Sequence, residues 1–308
     1  MAGDRLRIIC GPTAAGKSGL ALELCETFNA AIVSADSRQI HCEFNVGTAK
    51  PTREECARVT HYGIDVVEPD ERYSAARWSS EASEWIESAG EIDKDPVIVG
   101  GTGLYIKALV EPLFNAPDQD PAQRGQLERE LATKSVDDLR RWCKELDPAR
   151  AHLGRTQLLR AIETALLSGS RISDLHSAHN AAKKIEAGGH EPVYLVVDPG
   201  PALSTKIEAR VHRMLGAGWA EEVRELTHTV PPDAPAWKAS GYTVMRRYVE
   251  GALDLSSATQ RVIIETRQYA KRQRTWFRNQ LPAAAVTHVN PDDPHALTIA
   301  REWWERAE

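Results

Sequence analysis

The chain lacks the hallmarks of secreted, membrane-spanning and zinc-binding proteins. Its 308 residues contain no run of 18 apolar residues, so no membrane-crossing helix is expected. No basic segment followed by a long apolar stretch precedes the first short apolar run, so we expect no signal peptide. The five cysteines are scattered without a C-x-x-C pair, which argues against a zinc site or a disulfide framework. These absences favour a cytoplasmic protein.

An excess of positive charge is also missing. The formal net charge is −6, and none of the ten histidines belongs to an H-E-x-x-H motif. Any nucleic-acid surface must therefore be a local basic patch, and a metal held by histidines is not expected. With 42% hydrophobic and 27% charged residues, the composition is that of an ordinary globular protein with a substantial core.

A phosphate-binding motif is present close to the start of the sequence, in the stretch RIICGPTAAGKSGL at residues 7–20. The pattern G-x₄-G-K-S lies between an apolar strand and a helix, where backbone N–H groups and the helix N-terminus point at phosphate oxygens. Lys17 supplies a positive charge, and Ser18 supplies a hydroxyl for Mg²⁺. The predicted diphosphate-binding residues are Gly11, Pro12, Thr13, Ala14, Ala15, Gly16, Lys17 and Ser18.

The acid that hydrolysing phosphate-loop ATPases carry at the end of a later strand is absent from the stretch VIVGGTG at residues 97–103. We interpret Asp36, after the apolar stretch AAIVSA, as the only carboxylate at a strand end near the loop. There it would face a substrate docked beside the phosphates. The sequence therefore favours a transferase over an ATP-driven motor.

Apolar strands alternate with amphipathic helices, which predicts a parallel sheet covered on both faces. Strands are expected at 5–10, 30–36, 95–103 and 191–200, with helices at 17–28 and at 72–90, the latter capped by Ser74. From about 124 to 175 the pattern is helical and charged, and after 200 we expect long helices to the end. We therefore predict a phosphate-loop NTPase-like α/β core of residues 1–113 and 188–308, with an all-helical insertion at 114–187.

Several motifs together resemble one family, the bacterial tRNA dimethylallyltransferases, also called tRNA isopentenyltransferases. They are GPTAAGKS, SADSRQI, VGTAKP, HYGIDVVEP, VGGTGLYIKAL, SGY and TRQYAKRQRTWFRN, in the family's order over residues 7 to about 280. The resemblance implies transfer of a dimethylallyl group from dimethylallyl diphosphate to N6 of adenosine 37, in the anticodon stem-loop of tRNA. Pyrophosphate leaves, and Mg²⁺ is the implied cofactor. We expect the enzyme to act as a monomer.

The resemblance also implies roles for individual residues. Thr13, Lys17 and Ser18 would hold the diphosphate with Mg²⁺, Ser18 being the residue on the metal. Arg210 would also bind the diphosphate, and Asp36 would take the proton from adenine N6. The tRNA-contacting positions implied by the family are Asp36, Ser37, Arg38, Gln39, Thr102 and Arg124.

The chain departs from the family pattern at two places. His41 stands where the family usually has tyrosine. The insertion reads HLGRTQLLRAIE, with Gln157 where an arginine is usual, and either Arg155 or Arg160 could substitute for it. These departures concern the detailed tRNA contacts rather than the reaction.

A basic segment near the end of the chain carries six basic residues and one acid between Arg261 and Arg278. Helical spacing places Arg267, Lys271 and Arg274 on one face, with Tyr269 and Trp276 interleaved. A solvated helix face is the simpler interpretation, but together with the resemblance we predict contacts with tRNA backbone phosphates.

Two other functions fit part of the sequence. A phosphate-loop kinase acting on a small metabolite explains residues 7–40 equally well, but leaves the insertion and the basic segment without a role. A nucleic-acid-binding ATPase would need the missing strand-end acid.

Overall fold

The computed structural model describes residues 5–111, 121–175 and 191–306. The chain divides into two compact units, Met1–Pro112 together with His190–Glu308, and Leu113–Gly189. The junctions expected near residues 114 and 187 lie outside the described residues.

The first unit contains a six-stranded, all-parallel sheet in the order β3-β2-β4-β1-β5-β6. The central strand β1 pairs with β4 on one side and with β5 on the other, so that Ile8 stands beside both Ile98 and Tyr194. The strands are β1 (Arg5–Cys10), β2 (Ala30–Ala35), β3 (His61–Tyr62), β4 (Asp95–Gly100), β5 (Glu191–Val197) and β6 (Val286–Val289).

The described part of this unit contains nine α-helices. They are α1 (Lys17–Thr27), α2 (Arg53–Arg58), α3 (Ala75–Glu91), α4 (Gly103–Val110), α8 (Leu203–Gly216), α9 (Trp219–Thr229), α10 (Tyr242–Val249) and α11 (Leu255–Gln280); α12 (Ala296–Arg306) ends the described chain. As expected, the Ser74 side chain caps α3 by accepting from the Arg77 backbone N–H. The predicted parallel sheet covered by helices is confirmed.

Two apolar layers cover the sheet, because its inner strands are apolar on both faces. One layer includes residues of α1, α8 and α12, such as Leu24, Ile207 and Trp304. The other includes residues of α3 and α4, such as Trp78 and Ile106. Helix α11 contributes to both layers and also to a third cluster built on α8, α9 and α10.

The second unit contains only helices among its described residues: α5 (Pro121–Ala132), α6 (Val136–Leu146), α7 (Arg155–Ser168) and a further turn at 172–175. Its core packs Leu131, Leu139, Cys143 and Leu158. Helix α6 begins with a capping box in which the Ser135 and Asp138 side chains each accept from the other's backbone N–H.

Two strands differ from the expectations. β6 lies in a stretch expected to be helical, and β3 has only two residues. Both form the outer edges of the sheet, where a short strand needs one partner only. Such strands carry too few residues for a two-residue periodicity to be recognised.

Candidate active site

The loop between β1 and α1 has the backbone needed to surround an anion. Gly11 has a φ of 146°, and a Cβ there would lie 2.2 Å from the carbonyl oxygen of Val197, so only glycine fits. Gly16 caps α1 with a φ of 94°, and Ala14 between them also has a positive φ, 61°. The loop therefore turns tightly and leads into the helix N-terminus, where unpaired N–H groups and the helix dipole favour an anion.

Lys17, the first residue of α1, is half-buried, and its ammonium group lies against the loop. Its Nζ donates to the Pro12 carbonyl oxygen at 2.8 Å. Desolvation lowers the pKa of Lys17 to about 8; Asp36 opposes this shift and Arg210 adds to it. A poorly solvated cation of this kind gains most from a bound anion.

Asp36 follows β2 directly, at the same edge of the sheet. Its Oδ1 accepts from the Arg38 backbone N–H at 2.9 Å, which fixes the carboxylate against the following turn. The next residue is held in the same way, because the Ser37 N–H donates to Thr102 Oγ1 at 3.0 Å. Arg38 itself is partly exposed.

Arg210 projects from α8 toward Asp36. Desolvation lowers the pKa of its guanidinium, and the charge of Asp36 raises it. Its Nη2 lies 3.4 Å from the carbonyl oxygen of Thr48. Lys17, Asp36 and Arg210 thus form one electrostatic group, although they lie far apart in the sequence.

The segment 45–50, which carries the GTAK motif, is held by side chains rather than by regular structure. Gln39 donates to the carbonyl oxygens of Thr48 and Ala49, at 3.3 and 3.0 Å. Glu222 on α9 accepts from three successive N–H groups of residues 45–47 and from the hydroxyl of Tyr242. Gln39, predicted to contact tRNA, therefore also organises the segment that Arg210 touches.

Tyr269 on α11 lies beside the electrostatic group of Lys17, Asp36 and Arg210. Its hydroxyl hydrogen-bonds with the Thr102 side chain. Burial, and to a smaller extent the charge of Asp36, raise the pKa of Tyr269 to about 12. The phenol is therefore neutral at physiological pH. Tyr269, expected on an exposed basic face, instead stands beside the candidate acceptor position.

Gln273 and Arg274 on α11 bind the strand ends on either side of the loop. Gln273 accepts from the Thr13 N–H and donates to the Gly101 carbonyl oxygen, both at 2.8 Å. Arg274 pairs with the carboxylate of Asp198, which directly follows β5, and donates to the Gly200 carbonyl oxygen at 2.6 Å. The interpretation of Asp36 as the only carboxylate at a strand end near the loop was therefore wrong, although Asp198 is engaged by Arg274.

The three basic residues placed on one face of α11 have different surroundings. Arg267 pairs with Glu208 at 3.0 Å, and Arg274 is held by Asp198, so both guanidinium groups have partners within the fold. Lys271 is exposed, and no described residue forms an ion pair with it. Of the three, Lys271 is the one whose charge is uncommitted.

The helical unit contains the remaining candidates. Arg124 pairs with Glu128 at 3.2 Å and with the buried Glu163 at 3.6 Å. Arg160 keeps an exposed surface, but partial desolvation and the charges of Arg150 and Arg124 lower its pKa. Arg124 and Arg150 thus both lie close enough to Arg160 to repel its charge.

The two proposed substitutes for the usual arginine are not equivalent. Arg155 donates to the carbonyl oxygens of Leu131, Ala132 and Lys134 and so closes the C-terminus of α5. Gln157 accepts from the Gly154 N–H at the start of α7. Arg155 is therefore committed to the fold, which leaves Arg160 as the possible substitute.

His41, the other departure from the family pattern, is buried, and its Nδ1 lies 3.3 Å from the Glu68 carbonyl oxygen. It therefore has a structural contact.

Metal ligation can be assessed from the donor set. In the parts of the chain that the structure describes, no three His, Cys, Asp or Glu side chains cluster. Ser18 is exposed in the first turn of α1, and no described residue hydrogen-bonds to its hydroxyl. One free hydroxyl beside a phosphate loop fits Mg²⁺, which is held largely by substrate phosphates and water.

None of the described helices is long and apolar enough to cross a membrane.

Gln273 was missed at the level of sequence, although a signal for it exists. It occupies a buried stripe of α11 that also contains Val262, Thr266, Ala270 and Phe277. A large polar side chain on a buried stripe must find hydrogen-bond partners, which makes it a candidate for contacts with distant backbone.

Comparison with known proteins gives a consistent result over nearly the whole chain. A family model described as "IPP transferase" matches residues 39–280, and one described as "Isopentenyl transferase" matches residues 4–68. The chain is 38% identical over 299 residues to the tRNA dimethylallyltransferase of a Cyanothece species, covering 95% of this chain and 94% of that protein. It is 40% identical over 282 residues to the tRNA dimethylallyltransferase of Gloeobacter violaceus, covering 89% of each.

A solved structure shows the same fold. The full-length tRNA isopentenylpyrophosphate transferase from Bacillus halodurans superimposes with a TM-score of 0.69 and is 29% identical, covering 99% of this chain and 96% of that one.

Proposed function

The chain belongs to the IPP transferase family and is a prenyltransferase that acts on tRNA; from this premise we propose that it transfers a dimethylallyl group from dimethylallyl diphosphate to N6 of adenosine 37, releasing pyrophosphate. The observation that carries the finer assignment is the convergence of Lys17, Arg210 and Asp36 at the phosphate loop. Two cations suit a diphosphate, and a carboxylate suits an acceptor that must lose a proton.

In the first half of the reaction the bond between the allylic C1 and the diphosphate oxygen breaks, and its electron pair leaves with pyrophosphate. The loop amides, Lys17 and Arg210 stabilise the charge that develops on the leaving group. Preorganised donors in a poorly solvated site are effective here because they need no reorganisation during the reaction. Mg²⁺, held by the Ser18 hydroxyl and the phosphates, would neutralise part of the same charge.

In the second half N6 of adenine forms a bond to C1 and loses a proton to Asp36. The N6 lone pair is delocalised into the ring, so a carboxylate that accepts the proton assists the attack. Asp36 is suited to this role because its only hydrogen bond within the described fold comes from the Arg38 N–H to Oδ1. Thr102 and Tyr269 line the same position.

The acceptor adenine must leave the base stack to reach this site, so the enzyme binds adenosine 37 in a flipped-out conformation. Lys271 on α11 contacts the tRNA backbone, and Arg124 and Arg160 contact the anticodon stem-loop from the helical unit. These contacts fix position rather than read sequence, as phosphate contacts generally do.

The test incubates the protein with unmodified tRNA and either ¹⁴C-labelled dimethylallyl diphosphate or γ-³²P-labelled ATP. We expect ¹⁴C in tRNA and no ³²P, and we expect no ¹⁴C when adenosine 37 is replaced by guanosine. Transfer of ³²P to any acceptor, or steady ATP turnover that tRNA stimulates without prenyl transfer, would contradict the assignment.

A further inference from the structure

One peptide group of the phosphate loop is held from both sides. The peptide between Pro12 and Thr13 is planar, so its carbonyl and its N–H move together. The carbonyl accepts from Lys17 Nζ at 2.8 Å, and the N–H donates to Gln273 Oε1 at 2.8 Å. The orientation of this plane therefore links the position of the Lys17 ammonium to a side chain on α11.

Gln273 is itself held firmly at its other end. Its Nε2 donates to the Gly101 carbonyl oxygen at 2.8 Å, and the side chain is buried. A side-chain amide is required for this arrangement, because one atom must accept and the other must donate. The fit is close, since a Cβ at Gly101 would lie 2.4 Å from Nε2.

Helix α11 cannot easily shift to relax these bonds. The next residue, Arg274, is fixed to Asp198 and to the Gly200 carbonyl oxygen at the end of β5. Gln273 and Arg274 thus attach α11 to the ends of the two strands that flank β1. Along the same helix, Ala270 packs into one apolar layer of the sheet and Phe277 into the other.

The bond to Gln273 also decides which loop amides face a ligand. The Thr13 N–H is occupied by the side chain, and the Ala15 N–H donates to the Pro12 carbonyl oxygen at 3.3 Å. The N–H groups of Gly16, Lys17 and Ser18, at the cap and first turn of α1, have no partner within the helix and are available for an anion.

We propose that Gln273 is a positioning residue of the diphosphate site, which orients Lys17 through the Pro12–Thr13 peptide and touches neither substrate. This role rests on the proposed function, because it assigns the loop to the diphosphate of the prenyl donor. Loss of the amide would free the peptide plane and displace the Lys17 ammonium. Displacements of about 1 Å can change rates by about 100-fold.

The principal variant is Gln273→Met, which keeps the length of the side chain and removes both hydrogen bonds. Steady-state kinetics should show the half-saturating concentration of dimethylallyl diphosphate rising about 10-fold or more, while that of tRNA changes less than about twofold. The matched control is Gln260→Met, at an exposed position of the same helix, which should leave both values unchanged. If the Gln273 side chain only stabilised the fold, Gln273→Met would lower the melting temperature but leave the half-saturating concentration of dimethylallyl diphosphate unchanged. That result would overturn the proposal.

Gly101→Ala provides a second route if the first variant folds poorly, since its methyl group would displace the Gln273 amide without altering that residue. It should raise the half-saturating concentration of dimethylallyl diphosphate similarly. Adding Gly101→Ala to Gln273→Ala should cause a smaller further loss than Gly101→Ala causes alone, because the amide at 2.4 Å is gone and only the Gly11 carbonyl oxygen, 3.3 Å from the added methyl group, is still crowded. Full additivity of the two changes would contradict the proposal.

Failure of the proposed function is distinguishable from failure of this role. In the first case the unmodified protein itself would not transfer the prenyl group. In the second case the unmodified protein would transfer the prenyl group, and Gln273→Met would have the same half-saturating concentration of dimethylallyl diphosphate as the unmodified protein.

Discussion

The lowered pKa of Lys17 predicts that diphosphate binding weakens in mildly alkaline solution. Burial lowers the pKa to about 8, from 10.5 for an exposed lysine. The charged form is the one that attracts a diphosphate, and it is lost as the pH rises through the folded-state pKa. Neighbouring Cys10 does not titrate in this range, because burial raises its pKa to about 12.

The size of the effect follows from the fraction of charged Lys17. With a pKa of about 8, about nine-tenths of the molecules carry the charge at pH 7 and about one-tenth at pH 9. If only the charged form binds, the apparent dissociation constant increases about 10-fold between these values. This corresponds to about 1.4 kcal/mol of binding free energy.

The assay measures the single-turnover rate against the concentration of dimethylallyl diphosphate, at saturating tRNA, from pH 7 to pH 9.5. The phosphates of the donor are already ionised over this range, so the change reports on the protein. Lys17→Arg keeps a charge at every pH tested, and its half-saturating concentration should not depend on pH even if its affinity is lower. A half-saturating concentration that stays constant to pH 9.5 in the unmodified protein would refute the reasoning.

Three further predictions concern other parts of the molecule. Asp36→Asn should keep the affinity for both substrates and lose at least about 100-fold in single-turnover rate, since it removes the proton acceptor. A loss of rate within about threefold would exclude this role, and restoration of the rate by extra Mg²⁺ would indicate that Asp36 serves the metal instead. Lys271→Ala should reduce the slope of log K for tRNA against log salt by about 0.7–0.9. Arg274→Ala should chiefly lower the melting temperature, because it leaves Asp198 without its partner. A reduced salt slope for Arg274→Ala and an unchanged slope for Lys271→Ala would contradict the ion-pair assignment. Arg155→Ala should lower the free energy of unfolding of the helical unit by about 1 kcal/mol, because three carbonyl groups lose a charged donor and two of these hydrogen bonds are exposed to water. Unchanged unfolding in calorimetry would show that the contact does not matter.

The local features of the fold were predictable because each depends on neighbouring residues. The apolar stretch before Gly11 and the helix from Lys17 define the phosphate loop, and Ser74 marks the start of α3. The helical character of residues 124–175 follows from their periodicity in the same way. Such signals need no knowledge of the rest of the chain.

The contacts that assemble the site were less predictable, because they join residues far apart in sequence. Spacing on a helix places Arg267 and Arg274 on one face, but it cannot show that Glu208 and Asp198 neutralise them. Arg155 could equally have replaced a missing arginine until its bonds to the end of α5 were known. Charge runs indicate where a surface is basic, but tertiary structure decides which charges remain available.

The most direct test of the central claim is to locate the transferred group and count the leaving group in one reaction. Unmodified tRNA is incubated with the protein, Mg²⁺ and dimethylallyl diphosphate; the tRNA is then analysed by mass spectrometry of its nucleosides and fragments, while released pyrophosphate is measured in parallel. The proposed reaction predicts one dimethylallyl group on N6 of adenosine 37 for each pyrophosphate released. Pyrophosphate release without modified adenosine, or a dimethylallyl group at another nucleotide, would contradict it.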